Sequence, residues 1–278
     1  MSADSEIKIS SNTVASPNMP ARFTGKVAVI TGASPHGIGG AIAERLAKEG
    51  AAVWLMSREE PNDLIERIEA HGQGVFWNNC DVTRQEDIDR CRDACLDEFG
   101  QIDVLVNNAG IDTANNFEDL TDEEWHQLVD VNLTGAMRTS RSMLGSLKEH
   151  GGVIVNISSS SSLGGTPGLV AYSATKAGLN GLTQSLAIEL APVGVRVVGV
   201  APALVRTPMA ARHVQRLTAE AWEKLQDCHP LGIGVTQDVA AAVAFLASNE
   251  ARWITGITLP LGWMPSYPLP FASSEPLT

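Results

Sequence analysis

From Lys26 onward, short runs of β-branched apolar residues alternate with longer stretches of helical period, and that alternation admits few architectures. Strands of continuous apolar character are buried on both faces, and joining them through helices gives repeated βαβ units and a parallel sheet. The strands fall at 26–31, 52–57, 75–80, 102–106, 152–158, 195–200 and 256–260. Between them, 38–49, 61–70, 85–99, 122–149, 171–191 and 236–248 carry apolar residues at three- and four-residue spacing, as in Ile88, Cys91, Cys95 and Leu96. Ser34, Asp119 and Thr121 are placed to cap helices, and Gly50, Gly100 and Gly194 stand where helices end on a left-handed residue. The expected fold class is α/β, a single doubly wound domain with a seven-stranded parallel sheet flanked by helices.

A chain of 278 residues, 44% of them hydrophobic, fills one such core without a second domain. The expected organisation is a flexible N-terminal arm at 1–22, a catalytic domain at 23–262 and a C-terminal tail at 263–278. The arm lacks the basic start and apolar stretch of a secretory signal. The tail sets Trp263, Tyr267 and Phe271 among prolines and is too apolar for an ordinary disordered end, so it is expected to pack, at a subunit interface or near a neighbouring active site. A net charge of −12 argues against a nucleic-acid partner. Serines and glycines break the uncharged run 151–175 and prolines break 253–274, so neither is expected to span a membrane. Four scattered cysteines form neither a disulfide framework nor a zinc site, and no metal is expected. The reading is a cytoplasmic protein.

In a sheet of this kind ligands bind beyond the carboxyl ends of the strands. The first strand runs into Thr31-Gly32-Ala33-Ser34-Pro35-His36-Gly37-Ile38-Gly39. Glycines there let backbone N–H groups and a helix N-terminus approach a pyrophosphate, although glycines also serve purely structural turns. After the second strand come Ser57 and Arg58, where a site for the plain ribose would carry a carboxylate. Arg58, with a hydrogen bond from Ser57 and partial charge from His36, suits a 2′-phosphate. Its other reading is a solvated loop cation.

Tyr172 and Lys176 sit four apart in a helical stretch, which brings their Cβ atoms to about 5–6 Å on one face. An ammonium there is expected to lower the phenol pKa from about 10 toward working pH. A phenol so tuned serves as general acid or base. Asn132 lies inside the helical stretch 122–149, where asparagine loses helix propensity and needs a hydrogen-bonding role or a surface position. The serines at 158–162 read as a flexible polar loop. The stretch 207–229, with a helical segment at 218–227, is too long for a simple connection, and reads either as a lid over substrate or as a surface insertion.

The glycine turn, Asp81-Val82, Asn107 to Gly110, Asn132, Ser159, Tyr172 and Lys176 occur in the order of the short-chain dehydrogenase/reductase family, which residues 24–260 closely resemble. Ser159 matches the family's serine because it stands thirteen positions before Tyr172. The resemblance implies a Rossmann-like fold and an oxidoreductase that interconverts a carbonyl and a secondary alcohol, with Asn132, Ser159, Tyr172 and Lys176 as its catalytic tetrad. Tyr172 would exchange the proton, Ser159 would hydrogen-bond the reacting oxygen, Lys176 would hold the nicotinamide ribose, and Asn132 would anchor a water that resupplies the proton. For the cofactor it implies contacts from Gly32, Ser34, His36, Gly37, Ile38 and Gly39 and from Ser57 and Arg58. Asp81 and Val82 would border the adenine, Asn108, Ala109 and Gly110 the middle of the cofactor, and Pro202 and Thr207 the carboxamide. Leu133 and Met209 would lie nearer the substrate. Four residues separate Gly32 from Gly37 where the family has three, so a bulge is expected at Pro35 and His36.

The expected cofactor is NADP(H), with NAD(H) as the alternative, and a non-catalytic dinucleotide sensor is the reading from another class. The expected partners are a small carbonyl or alcohol substrate and further copies of the chain, as a tetramer or dimer. Small residues at 174, 177, 178 and 181 would allow helices to approach closely there.

Overall fold

The computed structural model describes residues 21–215 and 218–262. Strands β1 (Val27–Thr31), β2 (Ala52–Ser57), β3 (Val75–Asn79), β4 (Val104–Asn107), β5 (Val153–Ile157), β6 (Arg196–Pro202) and β7 (Thr258–Leu261) form one parallel sheet in the order β3-β2-β1-β4-β5-β6-β7. The sheet is therefore the expected one, with strand ends within two residues of their expected places. The chain winds outward from β1 to β3, returns to pair β4 against β1, and then winds the other way. That reversal opens a crevice beyond the ends of β1 and β4, where a doubly wound sheet takes its ligand.

Alternate residues of each strand feed two cores. Ala28 and Ile30 face α1 (Ile38–Lys48), α2 (Asn62–Glu69) and α10 (Thr236–Ala247) through Ile42, Leu46, Leu64, Ile68, Val239 and Val243. Val27 and Val29 belong to the opposite core, with Ile88, Cys91 and Cys95 of α3 (Gln85–Phe99), Met143 and Leu147 of α5 (Gly135–His150), and Ala187 and Leu190 of α7 (Val170–Leu190). Each fully buried Ile or Leu contributes roughly 1.5–3 kcal/mol over an exposed one, and this two-sided burial holds the strand ends in register.

The expected continuous helix at 122–149 is two helices. Helix α4 (Asp122–Val129) starts at a capping box in which Thr121 accepts from the Glu124 N–H and Glu124 accepts from the Thr121 N–H. A π-turn over Asp130–Thr134 then separates it from α5. The serines expected as a flexible loop are partly structured: Ser158 is buried, its hydroxyl donates to Asn180 Oδ1 at 2.7 Å, and Ser161–Gly164 forms the short helix α6. The stretch after β6 contains α8 (Pro208–Val214) and α9 (Ala219–Asp227), capped by Thr207 and Thr218. Residues 1–20 of the expected arm and the whole expected tail lie outside the described residues. Arg22 pairs with Glu49 at 2.6 Å and with Glu250 at 2.7 Å.

Among the described residues no helix is long and apolar enough to cross a membrane, and no three His, Cys, Asp or Glu side chains cluster as a metal site.

Candidate active site

The ends of β1, β2, β4, β5 and β6 open on one cleft of about 1310 Å³. Its floor begins with the glycine turn. Gly32 has φ +67°, and a Cβ there would lie 2.7 Å from the Ala109 Cα, so only glycine permits this approach of β1 to β4. The Asn108 amide ties the two together by donating to the carbonyls of Thr31 at 3.0 Å and Gly32 at 2.9 Å. Thr31 Oγ1 accepts from the N–H groups of Asn108 and Ala109, both at 3.0 Å. Gly37 precedes α1 and supplies no side-chain cap, so the first-turn N–H groups of Ile38 and its neighbours are left for a ligand. Gly39 is buried and packs on the Asn108 amide. In the turn itself, the Arg67 guanidinium donates to the Pro35 carbonyl at 2.9 Å.

An uncapped helix start beside a close-packed glycine turn, in a cleft this long, fits a dinucleotide. Of the residues assigned to the cofactor, Gly32, Ser34, Gly37, Ile38, Asp81, Val82, Asn108, Ala109, Gly110, Pro202 and Thr207 line the cleft. Asn108 spends its side chain on the turn and Thr207 caps α8, so both are held firmly in place. His36 is exposed and stands outside the lining. Arg58 is exposed, lines the cleft, and has no ion-pair partner among the described residues. Ser57 also lines it, but its hydroxyl already donates to the Glu59 carbonyl at 2.7 Å and accepts from Trp77 Nε1 at 2.9 Å.

At the other end, α7 carries Tyr172 into the cleft and Lys176 beneath it. Lys176 Nζ is 5.7 Å from the Tyr172 ring centre and donates to the Ile157 carbonyl at the end of β5, at 2.8 Å. Burial lowers the Lys176 pKa to about 8. The expected lowering of the Tyr172 pKa is not what the structure gives: burial raises it to about 12, hydrogen bonding to Ser159 pulls the other way, and the Asp112 charge adds to the rise. The ammonium is spent on a carbonyl rather than aimed at the phenolic oxygen, so burial prevails. Ser159 also faces the cleft and is within reach of Ser161, Oγ to Oγ at 3.2 Å.

Asn132 sits behind this group in the π-turn, 1% exposed. The wider turn aims its amide at Ile111 and α7: Oδ1 accepts from the Ile111 N–H at 2.8 Å, and Nδ2 donates to the Ile111 carbonyl at 2.9 Å and to Thr175 Oγ1 at 3.1 Å. Both amide hydrogens are thereby used. Gly110 lies between Asn132 and Lys176; a Cβ there would be 3.3 Å from Asn132 Oδ1 and 3.5 Å from Lys176 Nζ. Leu133, expected near substrate, instead packs on Gly178 of α7 outside the cleft lining, while Met209 lines the cleft.

The comparison with known proteins decides the family. A family model described as Enoyl-(Acyl carrier protein) reductase matches residues 32–261. A 3beta-hydroxysteroid dehydrogenase of Eggerthella lenta is 37% identical over 251 residues, covering 88% of this chain and 95% of the relative. A short-chain dehydrogenase/reductase from Burkholderia xenovorans superposes with a TM-score of 0.82 at 34% identity, over 87% of this chain and 96% of the other. The chain belongs to the short-chain dehydrogenase/reductase family. A 3-ketoacyl-(acyl-carrier-protein) reductase from Brucella melitensis, complexed with NADH, superposes with a TM-score of 0.77 at 36% identity, over 86% of this chain and 97% of that one.

Within this short-chain dehydrogenase/reductase, sequence reasoning missed two sets of residues. A buried amide ladder supports the cleft floor: Asn107 Nδ2 donates to Asn156 Oδ1 at 2.8 Å and to Ser140 Oγ at 2.9 Å, and Asn156 Nδ2 donates to Thr183 Oγ1 at 2.8 Å. Two asparagines closing otherwise apolar strands were the available signal. Asp112 and His213, both lining the cleft, were also missed. The fold and comparisons together make the chain an NAD(P)-dependent oxidoreductase that works by hydride transfer between a carbonyl and an alcohol.

Proposed function

We propose that this enzyme is an NADP(H)-dependent carbonyl reductase or alcohol dehydrogenase in which Tyr172 is the general acid and base. The convergence of Tyr172, Lys176 and Ser159 on one end of the cleft, with Asn132 bracing it from behind, carries the reading. When bound, the nicotinamide supplies or accepts the hydride. In the reductive direction Tyr172, a protonated phenol at neutral pH, gives its proton to the carbonyl oxygen. Ser159 donates a hydrogen bond to the same oxygen as negative charge develops on it. Lys176, held by the Ile157 carbonyl, would bind the ribose and pass on to Tyr172 a proton taken from water near Asn132. Gly32, Ser34, Gly37 and Ile38 would hold the pyrophosphate, Asp81 and Val82 the adenine, and Pro202 and Thr207 the carboxamide end. A sensor without turnover would have no use for this set of groups.

Arg58 supports the choice of NADP(H), since its guanidinium is unpaired among the described residues and borders the cleft beside α1. The alternative is NAD(H), favoured by Glu59 and Glu60, which also line the cleft, and by the NADH bound in the Brucella relative. Around the substrate end Ile111, Pro167, Leu169, Met209, Val214 and Leu225 are apolar, and the Asp112 charge is already paired. That wall suits a neutral, largely apolar carbonyl compound. We place the enzyme in the cytoplasm as a homo-oligomer: its four free thiols suit a reducing compartment, and the exposed Ile188 and Phe245 suit self-association. Initial rates over a panel of ketones and alcohols with each cofactor, together with sedimentation of the wild-type protein, test these readings. Faster turnover with NAD(H) than with NADP(H) would overturn the cofactor choice.

A further inference from the structure

Asp112 follows Ile111, the residue whose N–H and carbonyl are both bound by Asn132. Its backbone is therefore fixed to the bracing asparagine. Its carboxylate, 8% exposed, reaches across the cleft mouth to a helix a hundred residues further along the chain: Arg212 donates to Oδ1 at 3.0 Å, and His213 Nε2 meets Oδ2 at 2.6 Å. Each carboxylate oxygen thus has one partner, and both partners belong to the last turn of α8. At its other end α8 starts from the Thr207 cap and Pro208, close to the end of β6. Met209, Ala210, His213 and Val214 on this helix line the cleft, so the position of α8 sets the width of the mouth.

We propose that Asp112 is a positioning residue that latches α8 over the cleft, through Arg212 and His213, and so couples closure of the lid to the Asn132 brace. A carboxylate this enclosed would be costly to leave unpaired, which favours the closed position. Among the described residues, no other side-chain hydrogen bond or ion pair holds α8 beyond its Thr207 end. The Asp112 charge is also among the groups that raise the Tyr172 pKa, which puts the latch within electrostatic reach of the proton-transfer centre. For its kinetic consequence the inference rests on the proposed oxidoreductase reading. The latch itself does not.

Hydrogen exchange on the full-length protein separates the two. In Asp112→Asn, amides of residues 209–214 are expected to exchange about tenfold faster while β4, β5 and β6 keep wild-type protection. Arg212→Gln combined with His213→Gln changes only the lid side and is expected to give the same increase, and adding Asp112→Asn to that pair should add little more. On a ketone substrate, Asp112→Asn should raise KM about fivefold with a smaller change in kcat, while the dissociation constant for the dinucleotide stays near wild type. Unchanged exchange at 209–214 in both variants, or a loss of protection shared equally by the sheet, would overturn the latch. Faster local exchange with no effect on KM would overturn its role in substrate capture. Absence of turnover on any substrate would count against the oxidoreductase reading and leave the exchange result to decide the latch.

Discussion

Asn132 clasps the backbone of Ile111 from both sides, accepting from its N–H at 2.8 Å and donating to its carbonyl at 2.9 Å. The clasp joins the loop after β4 to the π-turn, and the third hydrogen bond, to Thr175, ties both to α7 between Tyr172 and Lys176. Asn132→Ala should therefore lower kcat about 100-fold, because a small displacement of the proton donor is enough to do so. It should also cost about 2 kcal/mol of stability, since the half-buried N–H and carbonyl of Ile111 lose their partners. Denaturant unfolding alongside steady-state kinetics checks both, and an active, stable variant would show that the clasp is incidental.

Lys176 makes two pH effects of opposite sign. Its folded pKa of about 8 lies below the ordinary 10.5 because burial disfavours the ammonium. Between those values the unfolded chain holds a proton that the folded chain has lost, so stability rises with pH across that window. The melting temperature of the wild type should accordingly gain on that of Lys176→Met between pH 8 and pH 10. Reductive kcat/KM should fall over the same range as the ammonium is lost, although the Tyr172 phenol, with a pKa of about 12, stays protonated. A flat profile up to pH 10 would remove Lys176 from the proton path.

Arg58 is the one cation near β2 assigned to the cofactor's phosphate, and Ser57 is already committed to Glu59 and Trp77. Arg58→Asp should reduce the NADP(H) to NAD(H) ratio of kcat/KM about 10- to 100-fold, the worth of one charge-assisted hydrogen bond. Initial rates with both cofactors measure it. An unchanged ratio would make Arg58 a solvated loop cation.

Asn107 is buried, with every polar atom of its side chain engaged across β4, β5 and α5. Asn107→Leu should destabilise the protein by about 3 kcal/mol, since it leaves the buried Asn156 Oδ1 without a donor and removes bonds to Ser140 and Thr139. Thermal unfolding checks this, and a wild-type melting temperature would contradict it.

The sheet was legible in the sequence because burial on both faces leaves continuous apolar runs, and the glycine turn was legible because Gly32 adopts a conformation closed to other residues. That Tyr172, Lys176 and Ser159 meet at one end of the cleft was legible in their spacing and family order. What spacing cannot express is which partner a polar side chain chooses. The π-turn at Asn132 breaks a periodicity that reads as one helix, and nothing local marks it. Lys176 was expected to act on the Tyr172 phenol through nearness along the helix, yet its ammonium turns to the Ile157 carbonyl, a partner brought by β5. Asp112 and His213 meet only because the chain crosses the cleft between them, and neither residue stands out alone.

In the proposed nicotinamide-linked reaction, Tyr172 transfers the proton. Its most direct measurement is the absorbance of reduced nicotinamide during turnover of a ketone panel, comparing wild type with Tyr172→Phe after dinucleotide binding and unfolding have been measured for both. In the variant kcat should fall about 1000-fold, with cofactor affinity and stability close to wild type. A variant that still turns over ketones at the wild-type rate would contradict it.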